Sequence, residues 1–199
     1  MLAAWLWELD VHQANRIPDP VDYIEMRRQT FGSDLTMSLA RIAHGRSLPP
    51  EVLRARPIRS LENAAMDYTA LVNDVFSYRK EIEFGGELLN AVLVVRSFLN
   101  VDTDRAFAVV ADLMTARMMQ FEHVLADELP ALVLELSERE RAALRAYVTE
   151  LKDWMAGIHN WHENCRRYAD HVLRYPAPRF GGPSGLGTAA AQLARRLPA

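Results

Sequence analysis

Three oxygen-bearing side chains recur at four-residue intervals, at Asn73, Ser77 and Glu81, and are called the triad below. Because an α-helix turns about 100° per residue, this spacing places all three within about 80° of one another on one face. An amide oxygen, a hydroxyl and a carboxylate are hard ligands, and they suit Mg²⁺ that shares its shell with water and substrate phosphates. Lys80 adds a positive charge beside them. The spacing therefore predicts a helix face that holds a metal ion and a diphosphate.

The alternative is that the triad forms part of an ordinary solvated helix face, which is the commoner meaning of such spacing. The surrounding sequence favours the functional interpretation, because apolar residues flank the polar strip. A polar group buried on such a helix needs partners, and a metal ion satisfies several at once. The flanking apolar residues are Tyr68, Leu71, Val72, Val75 and Phe76.

Helical periodicity dominates the chain and predicts an all-α protein without strands. Prolines and glycines mark the boundaries of the elements, and Ser137 with Glu140 resembles a capping box at the start of a helix. Helices are predicted over residues 2–16, 20–31, 33–44, 57–82, 87–99, 103–126, 137–154 and 158–172. From residue 176 onward Pro, Gly, Ala and Ser dominate, which is typical of a mobile linker. We therefore expect one domain over 1–175 and a flexible tail or interdomain linker over 176–199.

Composition excludes several classes of function. A net charge of −3 provides no basic field for nucleic acid or an anionic membrane. Cys165 is the only cysteine, so an internal disulfide is excluded and a reducing compartment fits. No apolar run reaches the roughly 18 residues of a membrane span, and the first ten residues lack a signal-peptide pattern. These features predict a cytoplasmic protein that binds no nucleic acid and spans no membrane.

The triad and its neighbours resemble a known family. The pattern Asn73-Asp74-x-x-Ser77-x-x-x-Glu81 is similar to the NSE metal motif of class I terpene synthases. More narrowly, residues 23–32 and 84–95 resemble the germacradienol/geosmin synthases of actinobacteria, and the likeness extends over about 1–190. The resemblance implies an all-α class I terpenoid synthase bundle. It also implies Mg²⁺-dependent cyclisation of a prenyl diphosphate, farnesyl diphosphate, to germacradienol- or geosmin-type products.

The resemblance assigns a role to an arginine upstream of the triad. Arg27 and Arg28 precede Asn73 by 46 and 45 residues, and the family senses the substrate diphosphate with an arginine at about that distance. A guanidinium suits this role because its fork bonds phosphate oxygens in pairs. Gly32 resembles the family's helix-break glycine, whose carbonyl approaches the leaving group, and its spacing favours Arg28 over Arg27. The alternative is that both arginines are surface charges.

A second resemblance lies near the end of the helical region. Trp161-x₅-Arg167-Tyr168 is similar to a C-terminal pattern of the family, which implies that Arg167 and Tyr168 bind diphosphate. Trp161 would stabilise a carbocation through its ring face, and Phe76 would line the pocket. Ordinary core packing is the alternative for both aromatic residues. The histidines of this region match no zinc spacing and receive no role; they are His159, His162 and His171.

The aspartate-rich metal motif of the family has no counterpart in this sequence, which contains no adjacent pair of aspartates. The intact family enzyme holds three Mg²⁺ ions, whereas the residues present here account for one. Several N-terminal helices of the bundle are therefore expected to be missing, and the isolated chain is expected to be inactive. Three alternatives stay open: a cyclase of another product class such as the 2-methylisoborneol type, a non-catalytic remnant or subunit completed by a separate N-terminal half, and a homo-oligomer.

Overall fold

The computed structural model describes residues 2–45, 48–85, 87–169 and 173, and within these residues every regular element is a helix. The helices are α1 (Leu2–Gln13), α2 (Pro20–Thr30), α3 (Ser33–Gly45), α4 (Pro50–Arg54), α5 (Arg56–Tyr78), α6 (Ala91–Leu99), α7 (Thr103–His123), α8 (Leu129–Leu134) and α9 (Glu138–Asn164). The predicted all-α class is confirmed. The predicted tail over 176–199 and residues 170–172 of the predicted last helix lie outside the described residues.

Two helices continue into wider turns. The end of α5 passes directly into a π-helical segment, Arg79–Phe84, and α7 passes into another, Val124–Glu128. Such segments bond residue i to residue i+5 and occur frequently at functional sites. Glu81 lies inside the first segment, so the triad spans the junction between α5 and this segment. A short 3₁₀ turn, Arg166–Tyr168, follows α9.

Capping side chains explain several helix starts. The Asp19 carboxylate accepts from the backbone N–H groups of Val21 and Asp22 at 2.9 and 3.1 Å, where α2 begins. The capping box predicted for Ser137 and Glu140 is confirmed at the start of α9. Helix α6 begins at Ala91 rather than at residue 87, because the Asn90 side chain accepts from the N–H of Val92 and caps the helix there.

The predicted break near Gly157 was wrong, since α9 runs unbroken through it for 27 residues. A single glycine costs a helix only about 1 kcal/mol, which the packing of α9 along α5 offsets. Residues 50–54, for which no helix was predicted, form the short helix α4, which begins at Pro50. Proline is accommodated there because the first helical turn needs no N–H from it.

The hydrophobic core has two parts, and α5 contributes to both. One part joins α5 to α9 and α7 around Leu61, Phe121 and Tyr147. The other joins the end of α5 to α2, α6 and α7, with Tyr23 and Val92 at its centre. The triad-bearing end of α5 is therefore held rigidly by α2 on one side and α6 on another.

Helix α3 carries an exposed apolar row. Leu35, Leu39 and Ile42 recur at helical spacing and are 53%, 59% and 67% exposed. A row of this kind is typical of a surface that packs against another helix. Among the described residues, no helix combines the length and apolarity needed to cross a membrane.

Alanine substitutions at two glycines are expected to change the stability of the protein in opposite directions. Gly32, between α2 and α3, has a φ of +94°, and Gly157 lies inside α9 with no neighbouring atom within 4 Å of an added Cβ. We expect Gly32→Ala to lower the free energy of unfolding by about 1–2 kcal/mol, because alanine is strained at positive φ. Gly157→Ala should raise it by about 0.5–1 kcal/mol through higher helix propensity. Urea denaturation of both variants measures the pair, and equal stability of the Gly32 variant would contradict the strain.

Candidate metal and diphosphate site

The Asn73 side chain joins three parts of the fold. Its Oδ1 accepts from Nη2 of Arg27, on α2, at 2.7 Å. Its Nδ2 lies 2.9 Å from Nε2 of His162, on α9, and donates to the hydroxyl of Tyr168 at 3.2 Å. Arg27 and Tyr168, both predicted site residues, therefore meet at the same amide although they are far apart in sequence.

Asp74, the neighbour of Asn73, anchors the arginine. Its side chain is fully buried and forms a salt bridge with Arg27, Nη2 to Oδ1, at 2.9 Å. The same carboxylate accepts from the Tyr23 hydroxyl and from the backbone N–H of Ala91. Burial lowers the pKa of Arg27, but the neighbouring carboxylates, Asp74 first, raise it by more, so the guanidinium stays charged. Asp74 thus holds Arg27 beside the triad.

Ser77 and Glu81 complete the triad with a buried hydroxyl and a carboxylate. Ser77 is 1% exposed, and its Oγ has no hydrogen-bond partner of ordinary geometry. The Glu81 carboxylate accepts from Nδ2 of Asn90 at 3.1 Å. Burial raises the pKa of Glu81, the Arg27 charge opposes the rise, and Asp74 adds to it. A cation at this position would offset that cost.

The donor set fits a hard cation that arrives with an anion. A buried hydroxyl without a partner is costly unless something binds it, and an Mg²⁺ ion accepts hydroxyl, amide and carboxylate oxygens alike. In the described residues, no group of three or more His, Cys, Asp or Glu is arranged as a metal site. Glu81 is the triad's only charged member. A site with a single negative charge should therefore bind the ion weakly until diphosphate contributes further oxygens.

Arg28 lies against a different carboxylate. Its Nε and Nη2 donate to the two oxygens of buried Asp67 at 2.7 and 2.8 Å. Arg117 of α7 approaches the same carboxylate at 3.2 Å. Arg27 is thus the arginine that contacts Asn73, and the two arginines meet different carboxylates because adjacent residues on α2 point about 100° apart. The prediction that favoured Arg28 over Arg27 as the diphosphate sensor stays a prediction.

Gly32 forms the break between α2 and α3. Its carbonyl accepts from the backbone N–H groups of Leu35 and Thr36 at 3.2 and 3.5 Å, in the first turn of α3. The positive φ explains why glycine occupies this position. Its predicted approach to the leaving group stays a prediction.

An aromatic group surrounds His162. The His162 and Tyr168 rings stack with centroids 5.6 Å apart and planes at 7°. Trp161 packs edge-on against His162 at 4.8 Å, and Phe76 lies 5.5 Å from the same ring. Trp161 is 49% exposed. The predicted aromatic residues are thus neighbours of His162, which contacts Asn73, and about half of the Trp161 surface is accessible.

The two remaining predicted cations lie at the edges of this region. Arg167 is exposed, and its guanidinium carbon is 5.9 Å from the centre of the Tyr168 ring. Lys80 is partly buried in the π-helical segment next to Glu81. Their predicted contacts with diphosphate stay predictions.

Sequence reasoning missed two residues that organise the site. Asp74 lies within the motif itself, and its apolar helical neighbours at i−3 and i+4, Leu71 and Tyr78, were a usable signal of burial. His162 is 89 residues from Asn73 along the chain. Its position next to Trp161 was the one local feature of the sequence that could have identified it as a site residue. Burial lowers the pKa of His162, with a smaller contribution from Arg167, so its ring is neutral near pH 7.

A groove of about 560 Å³ lies elsewhere, between α5, α7 and α9. Its walls are mainly apolar, and the triad does not line it. The lining residues are Tyr68, Met118, Phe121, Glu122, Leu125, Lys152, Met155, Ala156 and His159.

Known proteins resemble this chain in sequence and in fold. Residues 1–120 match the family model described as terpene synthase family 2, C-terminal metal binding. Over 152 residues the chain is 35% identical to sesquiterpene synthase 1 of Postia placenta, a match that covers 76% of this chain and 43% of the relative.

Two solved structures extend the likeness to the fold. Germacradien-4-ol synthase from Streptomyces citricolor aligns with a TM-score of 0.66 at 27% identity, covering 76% of this chain and 49% of that one. The 2-methylisoborneol synthase from Streptomyces coelicolor A3(2), in complex with Mg²⁺ and geranyl-S-thiolodiphosphate, aligns with a TM-score of 0.67 at 23% identity, covering 90% and 52%. The chain thus spans about half the length of the proteins it matches.

Proposed function

We propose, since the chain belongs to terpene synthase family 2, that it supplies the NSE half of a class I terpene cyclase active site. The observation that carries this proposal is the Asn73 amide, which contacts both Arg27 and Tyr168 beside the buried hydroxyl of Ser77. Residues from α2, α5 and the turn after α9 meet at this amide, as a shared ligand site requires.

The triad would hold one Mg²⁺ through Asn73 Oδ1, Ser77 Oγ and a Glu81 oxygen. Bound there with diphosphate, the ion would neutralise charge that develops on the leaving group. In the described structure Arg27 Nη2 donates to both Asn73 and Asp74. We propose that Arg27 turns from Asn73 to the diphosphate while Asp74 retains its guanidinium, which frees Oδ1 for the metal.

The other predicted groups act on the same anion. Because the Tyr168 hydroxyl accepts from Asn73, its own proton is available to donate to a diphosphate oxygen. Arg167, beside that ring, and Lys80 would add charge-assisted hydrogen bonds, and the Gly32 carbonyl would approach the departing oxygen. Arg28, while paired with Asp67, would add positive charge to the region that binds the diphosphate. The half-exposed Trp161 would stabilise a carbocation by cation–π attraction, and Phe76, which contacts His162, would line the pocket.

Farnesyl diphosphate is the proposed substrate, with germacradienol- or geosmin-type sesquiterpenes as products. Support comes from the sequence likeness over 23–32 and 84–95 and from the similarity to a sesquiterpene synthase and a germacradien-4-ol synthase. A 2-methylisoborneol-type activity is the second candidate, favoured by the fold shared with that synthase. The triad serves both, because cavity shape rather than metal ligands selects the product.

Metal binding tests the proposal without turnover. We expect the chain to bind Mn²⁺, as a paramagnetic substitute for Mg²⁺, only when inorganic pyrophosphate is present. Glu81→Gln should weaken this binding roughly tenfold or more, because the single charged ligand becomes neutral. Titration followed by electron paramagnetic resonance measures both effects.

A matched control lies in the same π-helical segment. Glu83 is exposed and pairs with Arg79 at 3.2 Å. Glu83→Gln should leave Mn²⁺–pyrophosphate binding unchanged. Equal binding by the Glu81 and Glu83 variants would remove the triad as the metal site.

A further inference from the structure

We infer that His162 is a positioning residue that fixes the amide orientation of Asn73, so that Oδ1 and not Nδ2 faces the metal position. The inference rests on the proposed function for the metal and on hydrogen-bond chemistry for the orientation. His162 is 4% exposed and belongs to α9, whereas Asn73 belongs to α5.

The orientation follows from a chain of donors and acceptors. His162 Nδ1 lies 2.8 Å from the carbonyl oxygen of Ile158, which can only accept, so Nδ1 carries the proton. In a neutral ring Nε2 is then an acceptor. The Asn73 atom at 2.9 Å from Nε2 must donate, so it is the NH₂ nitrogen. The amide oxygen consequently points to the opposite side, where Arg27 donates to it.

His162 becomes decisive when Arg27 turns to diphosphate. The arginine alone would orient the amide in the absence of ligand, since a guanidinium can only donate. Once it leaves, His162 and Tyr168 are the described partners that remain on Nδ2. A tyrosine hydroxyl both donates and accepts, so it does not distinguish the two amide orientations. The imidazole of His162 does distinguish them, because its Nε2 only accepts. Without it, an Asn73 side chain flipped by 180° would present its NH₂ group to the cation.

The surroundings hold the imidazole in place. Tyr168 stacks on one face, and Trp161 and Phe76 contact the ring from other directions. The guanidinium of Arg27 can only donate, so the Asn73 atom facing it is the oxygen and the atom facing Nε2 is the NH₂ nitrogen; Nε2 therefore accepts, and the ring is neutral. Residues that orient a metal ligand typically contribute about 10- to 100-fold in metal affinity.

The first experiment needs no metal. In the ¹⁵N spectrum of the labelled, unaltered chain, we expect the His162 ring to show its proton on Nδ1. The Asn73 NH₂ signals, identified by their loss in Asn73→Asp, should shift in His162→Leu and remain near their positions in His162→Gln, whose amide oxygen can accept in place of Nε2. A proton on Nε2 of His162 would overturn the inference. Asn73 NH₂ signals that do not shift in His162→Leu would overturn it as well.

The second experiment measures Mn²⁺ binding in the presence of inorganic pyrophosphate. His162→Leu should weaken binding about 10- to 100-fold, and His162→Gln should restore most of it. His159→Gln, one turn earlier and half-exposed beside Glu163, is the matched control and should have no effect. Equal affinities for the Leu and Gln variants would contradict positioning through Asn73. No binding by the unaltered chain would overturn the proposed metal site, while the ring and amide signals would still decide the orientation.

Discussion

Incubated alone with Mg²⁺ and farnesyl diphosphate, the 199-residue chain is expected to release no cyclised terpene at a detectable rate. The proposed site accounts for one Mg²⁺, and the sequence has no adjacent aspartate pair that would hold the other ions implied by the family resemblance. The chain spans about half the length of the relatives it matches, so we expect the proposed cavity to lack the walls that the remaining half would supply, and water to quench a carbocation. Each loss removes several kcal/mol of transition-state stabilisation, and each 1.36 kcal/mol is about tenfold in rate.

Adding the N-terminal helices of a sesquiterpene synthase relative, fused or in trans, should restore cyclisation. We expect the added helices to pack against the exposed row on α3, whose members are Leu35, Leu39 and Ile42, because that surface is apolar and uncovered. Gas chromatography of volatiles measures turnover, and hydrogen exchange of α3 reports the packing.

Controls separate the alternatives. A fused protein that carries Glu81→Gln should lose most of the restored activity, which would show that this chain supplies a metal ligand. A fused protein that binds Mn²⁺ and pyrophosphate but stays inactive would favour a non-catalytic remnant. Robust germacradienol from the unaltered chain alone would contradict the expectation that essential parts are missing.

The largest expected effect on stability comes from Asp74→Ala. The substitution removes a fully buried carboxylate and leaves the largely buried Arg27 guanidinium without its main partner, together with the Tyr23 hydroxyl and the Ala91 N–H. Removing one member of a buried ion pair costs about 3–5 kcal/mol, and we expect the lower end because Arg27 is 17% exposed. Urea denaturation followed by circular dichroism measures the loss.

Two variants make this prediction specific. Asp74→Asn keeps the shape of the side chain and part of its hydrogen bonding, so it should lose less stability than Asp74→Ala. Arg79→Ala removes an exposed pair with Glu83 on the adjacent segment and should change stability by about 0.5 kcal/mol or less. If Asp74→Ala proves as mild as Arg79→Ala, the buried pair does not anchor α2 to α5.

Local patterns carried most of the fold prediction. Sequence reasoning located several features within a few positions because each depends on a few neighbouring residues. These features are the helical periodicity, the Ser137 capping box and the prolines at the starts of α2 and α5. The exceptions were also local. Gly157 does not interrupt α9, and Arg79–Phe84 is π-helical, because tertiary packing outweighs the small preferences of single residues.

Arg27 shows where local reasoning reached its limit. The sequence placed an arginine about 46 residues before Asn73, but two adjacent candidates were available. Only the docking of α2 on α5 turned Arg27 toward Asn73 and Asp74 and Arg28 toward Asp67. A rotation of 100° between adjacent side chains separates the two outcomes, and no periodicity within α2 determines how that helix is seated.

By itself, the sequence determined that the protein is all-helical and that a carboxylate, a hydroxyl and an amide share one helical stretch, which runs from the end of α5 into the π-helical segment after it. These properties follow from spacing along a single helix. Tertiary structure alone decided which groups surround that stretch: His162 and Tyr168 lie 89 and 95 residues from Asn73 and reach it because α9 packs along α5. The physical reason is that backbone geometry repeats within a helix, whereas contacts between helices depend on how whole faces pack together.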